Sequence, residues 1–335
     1  MKTGLKSALL GASLLAGPAM AASDAELSER HLALATEAAG DELSYVLNNC
    51  NNIGKSYDMD PHSMHDVLGK LINKGDPRPA SAFDNLHFLG TGWVTAWAVT
   101  TDDGIILLDA LNNAEEAQRY IEDGLVALGL DPADIKKIIV SHGHGDHYGG
   151  ATYLKEKYGA EIIMSEADWE EIAKPDLPDD ELWGRPPARE TSVADGDTVS
   201  LGGTNVGIVT TPGHTPGTIA LIVPVQDGGE QHKAVIWGGN GLNFGAKPDR
   251  FLQMMDSADK IGALGESDNV DVFLSNHASL DDTFAKFDAL ETRAEGEPNP
   301  FVTGTEGVRR IGTALEHCVA AHLATFAPDQ VPADL

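Results

Sequence analysis

Ser141-His-Gly-His-Gly-Asp-His-Tyr-Gly-Gly150 places three imidazoles and one carboxylate within six consecutive positions, His142 to His147. In extended or loop backbone, side chains two apart fall on the same side, so His142 and His144 point together. Asp146 and His147 aim a second pair of donors a few ångströms away. Nitrogen and oxygen donors without thiolate suit zinc, with manganese or ferrous iron as competitors. The interleaved glycines leave the loop free to converge on an ion.

One loop supplies too few ligands, and further donors close apolar runs elsewhere in the chain. Ile135 to Ser141 reads as the buried strand that delivers the loop, and Tyr148 to Lys157 as a helix beginning beside it. His214 lies in Val209-Thr-Thr-Pro-Gly-His-Thr-Pro-Gly217, where two prolines predict a rigid turn presenting one ring. His277 follows Asp271-Val-Phe-Leu-Ser-Asn276, the end of a short strand-like run. Asp109 closes Gly104-Ile-Ile-Leu-Leu-Asp109, either as a turn residue or as acceptor of a ligand imidazole's N–H.

This order of Asp, His-x-His-x-Asp-His, Gly-His-Thr-Pro-Gly and a late His resembles the metallo-β-lactamase superfamily, over roughly residues 81 to 290. The resemblance implies an α/β fold, the αβ/βα four-layer sandwich, with the metal site at the shared edge of two sheets. It assigns His142, His144 and His214 to a first zinc and Asp146, His147 and His277 to a second. Asp146 would also be catalytic, orienting a zinc-bound hydroxide that attacks the scissile carbonyl. Asp109, Tyr148 and Asn240 are expected around these ligands or against substrate. Many members carry a bridging Asp after the strand that here reads Ala234-Val-Ile-Trp-Gly-Gly-Asn-Gly241, and no carboxylate stands there. That departure resembles the third subclass of class B β-lactamases, whereas the serines usual in that subclass near Asn240 and Leu242 are missing. The implied function is a dizinc hydrolase opening a cyclic amide, with a hydrolase of lactones or other esters as the alternative. Fold likeness alone does not choose between them.

The remaining histidines, His31, His62, His65, His87, His232, His317 and His322, lack such company and read as surface or core residues. Lys2 and Lys6 precede the apolar stretch Ala8 to Leu15, and Pro18-Ala-Met-Ala21 offers a small-residue cleavage site. Residues 1–21 therefore predict a secretory signal peptide and a periplasmic or secreted protein, with no integral membrane segment after cleavage. A net charge of −29 over 335 residues argues against nucleic acid; that the partner is a small-molecule substrate is what the resemblance implies. Oligomeric state is left open. Cys50 and Cys318 in an oxidising compartment leave both a disulfide and two separate buried thiols open.

Residues 22–80 form an expected N-terminal helical extension, with a helical pattern from Asp24 to Leu47 and then a polar stretch holding Pro and Gly. Its role, over the site or toward a partner, is open. The domain proper, 81–335, reads as strands from Leu86, with a hairpin around Thr101-Asp-Asp-Gly104. Helices at Ala114 to Leu128, Arg250 to Leu264, Leu280 to Arg293 and Glu306 to Phe326 alternate with the later strands. Trp93 and the Pro-rich loop from Lys174 to Pro187, with Trp183, are candidates for the wall of a cleft.

Overall fold

The structure, a computed structural model, describes residues 24–52, 61–72, 75–174 and 182–335. The segment predicted to be a signal peptide, 1–21, lies outside these residues, as does most of the Pro-rich loop before Leu182. In chain order the helices are α1 (Asp24–Ala39), a 3-10 turn (Ser44–Asn52), α2 (Pro61–Ile72), α3 (Ala114–Glu116) running through a π-turn into α4 (Asp123–Ala127), α5 (Gly145–Tyr148), α6 (Ala151–Tyr158), α7 (Glu166–Ile172), α8 (Pro248–Ser267), α9 (Thr283–Glu291) and α10 (Gly304–Ala324). The strands are β1 (Ala80–Phe83), β2 (Leu86–Gly90), β3 (Thr95–Thr101), β4 (Gly104–Leu108), β5 (Ile135–Ile139), β6 (Glu161–Ser165), β7 (Thr191–Val193), β8 (Thr198–Leu201), β9 (Thr204–Thr210), β10 (Ile219–Asp227), β11 (Glu230–Trp237) and β12 (Val272–Ser275).

Alternation along the strands builds the layers. On β3, Trp97 and Val99 face one core while Ala96 and Ala98 face another; on β11, Ala234 and Ile236 oppose Val235 and Trp237 in the same way. One sheet runs β1 to β7 in sequence order, and the other β12-β11-β10-β9-β8. Trp97, Ile139, Leu221, Ile236 and Leu274 fill the space between the sheets. The outer face of the first sheet packs Ile138 and Leu107 against Ile121, Leu125 and Leu154 of the helices. On the outer face of the second, Val235 and Phe273 meet Met254, Ile261, Ile311 and Leu315 of α8 and α10. Helix, sheet, sheet, helix is the expected four-layer arrangement, and each fully buried Leu, Ile or Val in it contributes about 1.5–3 kcal/mol.

The two sheets join at one edge. Thr95 N donates to Asn276 O (2.9 Å) and Trp97 Nε1 to Ser275 O (3.2 Å), tying the start of β3 to the end of β12. Ile219 N donates to Ser141 O (2.9 Å), tying β10 to the chain leaving β5. The loops that leave β4, β5, β11 and β12 therefore emerge side by side, and the turn between β9 and β10 joins them.

The extension departs from the sequence expectation in one respect. The helix predicted to Leu47 stops at Ala39, because Gly40 takes a left-handed φ of 59° and ends it, and a 3-10 turn follows. Within the polar stretch the chain forms α2. Helix α1 lies on α10, where Ser28 Oγ donates to Ala321 O (2.8 Å), and Cys50 is disulfide-bonded to Cys318 of α10. The 3-10 turn reaches further, Asn48 Nδ2 donating to Ser279 O (2.8 Å) in the loop that carries His277.

Candidate metal centre

Strand β5 delivers the ligand loop as its spacing predicts. His142 and His144 sit on the loop, and Asp146 and His147 on the single turn of α5. The β9–β10 turn brings His214, and the chain leaving β12 brings His277, so all six residues assemble at the joined edge of the sheets. His142 Nε2 lies 3.0 Å and His214 Nε2 3.1 Å from His144 Nδ1, three nitrogens converging on one point. On the other side, Asp146 Oδ2 lies 3.2 Å from His147 Nε2 and 3.7 Å from His277 Nε2. His142, Asp146 and His147 likewise present donor atoms within 4.8 Å of one another.

What each ring does with its other nitrogen fixes its tautomer. His214 Nδ1–H donates to Gly241 O (2.8 Å), His277 Nδ1–H to Trp93 O (3.1 Å) and His147 Nδ1–H to Asp109 Oδ2 (2.8 Å). Each leaves an Nε2 lone pair aimed inward, the arrangement that supports metal-bound imidazole. His147 Nε2 is fully buried and, although near Asp146, is not aligned for a hydrogen bond with it. An orphaned buried nitrogen is costly in a dry interior. A cation at the convergence point would satisfy it, so the donor set fits a metal.

The electrostatics agree. Burial first, and then mutual repulsion of the rings, holds His142 and His214 well below the ordinary histidine range. Burial also leads in lowering His144 and His277 to about 4. These four rings present lone pairs at neutral pH. Burial opposes charge on His147, but Asp146 and Asp109 on either side outweigh it and raise this ring to about 10. Burial likewise opposes ionisation of Asp146, and His147 and His277 overcome it, holding the carboxyl below its usual range. The carboxylate side of the centre thus demands positive charge, which a dication supplies in place of the proton.

Asp109 adopts a left-handed φ of 63°, rare for a residue with a side chain, directly after β4. The conformation turns its carboxylate back into the site, where Oδ1 accepts from Ser141 N (2.7 Å) and Oδ2 from Ser141 Oγ (2.8 Å) as well as from His147. Asn276 completes this cluster by donating from Nδ2 to Gly238 O (2.6 Å) and Ser141 Oγ (3.0 Å). Asp168 of α7 clamps the two ligand loops together: Oδ2 accepts from Gly143 N (2.9 Å) and Thr215 Oγ1 (2.7 Å), and Oδ1 from Gly217 N (3.0 Å). Sequence reading singled out Asp109 but neither Asn276 nor Asp168. Asn276 had a signal in standing next to His277; Asp168, on a short helix the sequence reading did not predict, had none.

After β11, a Cβ at position 239 would come within 2.8 Å of His214 Cδ2. His214 Cγ and Cβ would lie 3.1 and 3.2 Å from the added carbon as well, so the His214 side chain fills the space that any residue larger than glycine would need. Asn240 is buried and does not line the cavity above the site; Asn243, three residues on, does. Of the two places expected for Asn240, around the ligands or against substrate, its burial away from the cavity lining fits the first.

A cavity of about 450 Å³ opens over the ligands. His144, Asp146, His214 and His277 lie at its floor, and Tyr148, Trp93 and Trp183 in its walls. Trp93 stands between Trp183 (6.2 Å between ring centres) and His277 (5.6 Å), so the aromatic wall runs directly onto a candidate ligand. Burial, with Asp146 adding to it, pushes the Tyr148 phenol up to about 12, which keeps it a hydrogen-bond donor at neutral pH. Five of the remaining histidines stay away from the centre. His31 and His317 face each other (3.2 Å), His87 meets Ser81, His232 meets Asp271, and His322 packs on Phe251. The side chains of His62 and His65 lie outside the described residues.

Known proteins agree with this geometry. Residues 89–227 match the metallo-β-lactamase superfamily profile. Among solved structures, a subclass B3 metallo-β-lactamase of Bradyrhizobium japonicum superposes with a TM-score of 0.62 at 26% identity, over 71% of this chain and 90% of that one. The native metallo-β-lactamase from Legionella gormanii does so at 0.63 and 26%, over 71% and 92%. Among curated sequences, a hydroxyacylglutathione hydrolase of Rhodopseudomonas palustris is 31% identical over 36% of this chain and 40% of its own length. One from Prochlorococcus marinus is 28% identical over 50% and 59%. The chain thus spans roughly half the length of these curated relatives, but nearly all of the solved structures. By fold, ligand arrangement and profile, it carries a metallo-β-lactamase superfamily domain.

Proposed function

We propose that the chain is a dizinc hydrolase of the β-lactamase type, acting in the periplasm or outside the cell on the cyclic amide of a β-lactam. The observation that carries this reading is the strand end after β11. Gly239 lies so close to the His214 ring that no side chain fits, so the carboxylate that bridges two metals in many other hydrolases of the superfamily has no place. The site is left with three imidazoles on one side and Asp146, His147 and His277 on the other. His142, His144 and His214 would hold one zinc, and the second group the other. Two zinc ions bound there would supply hydroxide at neutral pH and polarise the scissile carbonyl.

The chain's own residues do the rest. Asp146, ionised at the cavity floor, orients the attacking oxygen. The Tyr148 phenol, protonated at neutral pH, donates to oxygen bearing developing charge. Asp109 holds His147 in the tautomer that leaves Nε2 free, and Asp168 keeps the two ligand loops in register. The predicted signal peptide and the Cys50–Cys318 disulfide support the location, since disulfides persist in oxidising compartments. No helix among the described residues is long and apolar enough to cross a membrane.

A second reading, a hydrolase of lactones, thioesters or other esters, is favoured by the cavity wall. None of the described residues lining it is Lys or Arg, and the serines expected to hold a β-lactam carboxylate are missing. The test is the rate at which zinc-loaded protein destroys the near-ultraviolet absorbance of a carbapenem and a cephalosporin, with and without a chelator. A chelator-sensitive kcat/KM above roughly 10⁴ M⁻¹s⁻¹ is expected. A far slower rate from protein that retains two zinc ions would reject the β-lactam and move the assay to lactones and esters.

A further inference from the structure

The floor of the cavity comes from the joined sheets, but part of its roof comes from the N-terminal extension. Val67, Leu68 and Leu71, on successive turns of one face of α2, line the cavity opposite Leu242 and Leu280. On the polar face of the same helix, Asp66 and Lys70 are exposed. Val67 is 39% exposed, and Leu68 and Leu71 are only half-buried. An amphipathic helix normally buries its apolar face against protein. Here part of that face looks into open space directly above the candidate ligands.

Charge separates the occupants such a space accepts. Asp146 is the only carboxylate among the described lining residues, it belongs to the floor, and no cationic side chain joins it. A negatively charged substituent under α2 would lose its hydration with no cationic side chain among the described lining residues to meet it, in a chain of net charge −29. An apolar substituent would instead gain about fourfold in affinity for each methylene it buries. The volume of about 450 Å³ lies within the range of ordinary small-molecule sites, with room for such an arm beside a scissile ring.

We infer that the substrate carries an uncharged apolar arm of several carbons, acyl or aryl, which seats between the α2 leucines and the Trp93–Trp183 wall while the scissile bond lies over the metal ligands. The inference rests on the hydrolase reading of the floor but not on whether the bond cleaved is a lactam or a lactone.

Straight-chain hydroxamates, neutral metal-chelating heads with tails of increasing length, test it without turnover. Calorimetric titration of the zinc-loaded full chain should show octanohydroxamate binding at least about 100-fold more tightly than acetohydroxamate, given about fourfold per buried methylene. In the Leu68→Ala/Leu71→Ala variant the eight-carbon probe should weaken about tenfold and the two-carbon probe less than twofold. Leu68→Met, which conserves volume, should retain the preference and shows that the helix tolerates change. Dissociation constants within about threefold of each other across the series, or binding of no member, overturn the inference; so does an alanine variant that keeps the full gain. Zinc-loaded protein that shows the gain yet hydrolyses neither lactams nor lactones would instead overturn the hydrolase reading and leave the apolar arm standing. Hydrolysis without the gain does the reverse.

Discussion

Buried acids behave in opposite ways in two regions of this molecule. At the metal centre, Asp146 and Asp109 face imidazoles, and the result is a carboxyl held down on Asp146 and a ring raised to about 10 on His147. In the helical layer behind the second sheet, half-buried Glu316 of α10 faces Asp259 and Asp256 of α8 and Asp334, and its carboxyl is pushed up to about 7. The difference is one of partners. An acid beside rings whose Nε2 atoms await a cation stays ionised, whereas an acid among acids keeps its proton. Burial alone marks neither as functional; burial with convergent, tautomer-fixed donors does.

The largest effect expected from breaking this contrast is at the imidazole side. His214 is the one imidazole of its trio that comes from outside the β5 loop, and its ring is anchored on Gly241 O. His214→Ala should lower turnover by more than about 100-fold, beyond the 10–100-fold typical of losing a residue that merely supports a ligand. Zinc content should fall toward one ion per chain. Unchanged zinc stoichiometry and rate would remove His214 from the centre.

A smaller effect is expected one step out. Asp109→Asn keeps the shape of the side chain but removes the charge that holds the His147 N–H. Metal affinity at the carboxylate side should drop by about 10–100-fold, with the His142, His144 and His214 side much less affected. Competition against a chelator of known affinity, read separately for the first and second equivalents of zinc, distinguishes the two. Equal loss at both sites would mean that Asp109 props up the whole floor through Ser141 instead of tuning His147 alone.

How much of this could be read in advance follows from distance along the chain. The ligand loop was legible because His142, His144, Asp146 and His147 are neighbours whose spacing already implies convergence. His214, His277 and Asp109 were legible because each closes an apolar run, and strand ends collect at a sheet edge. Asp168 was not, since it acts on partners 25 to 49 residues away through a fold that no local pattern encodes. The contribution of α2 to the cavity was hidden for the same reason. Nothing in Val67, Leu68 and Leu71 states that the helix lies over the site, and the sequence left a place over the site or toward a partner open for this stretch. The Cys50–Cys318 pairing, across 268 residues, stood open until α1 and the 3-10 turn were seen against α10. The overlong first helix is a local failure of another kind, a periodic pattern that ran on past the glycine that ends it.

The smallest effect tests the other half of the comparison. Burial, then Asp259, Asp256 and Asp334, raise Glu316 in the folded protein to about 7 from an ordinary 4.5. Below pH 4.5 the side chain is protonated whether the chain is folded or not, and costs nothing. Between about 4.5 and 7 the unfolded chain gives up the proton while the folded one keeps it, so stability falls as pH rises. Above 7 the penalty is constant, on the order of 1 kcal/mol once screening of this half-exposed group by solvent is allowed for. Glu316→Gln should therefore raise stability at pH 8 by about that amount and leave it unchanged at pH 4, as read from urea unfolding at the two values. A variant equally stable to the parent at pH 8 would mean that the three aspartates do not act on Glu316, and that acid among acids is tolerated here as readily as acid among imidazoles.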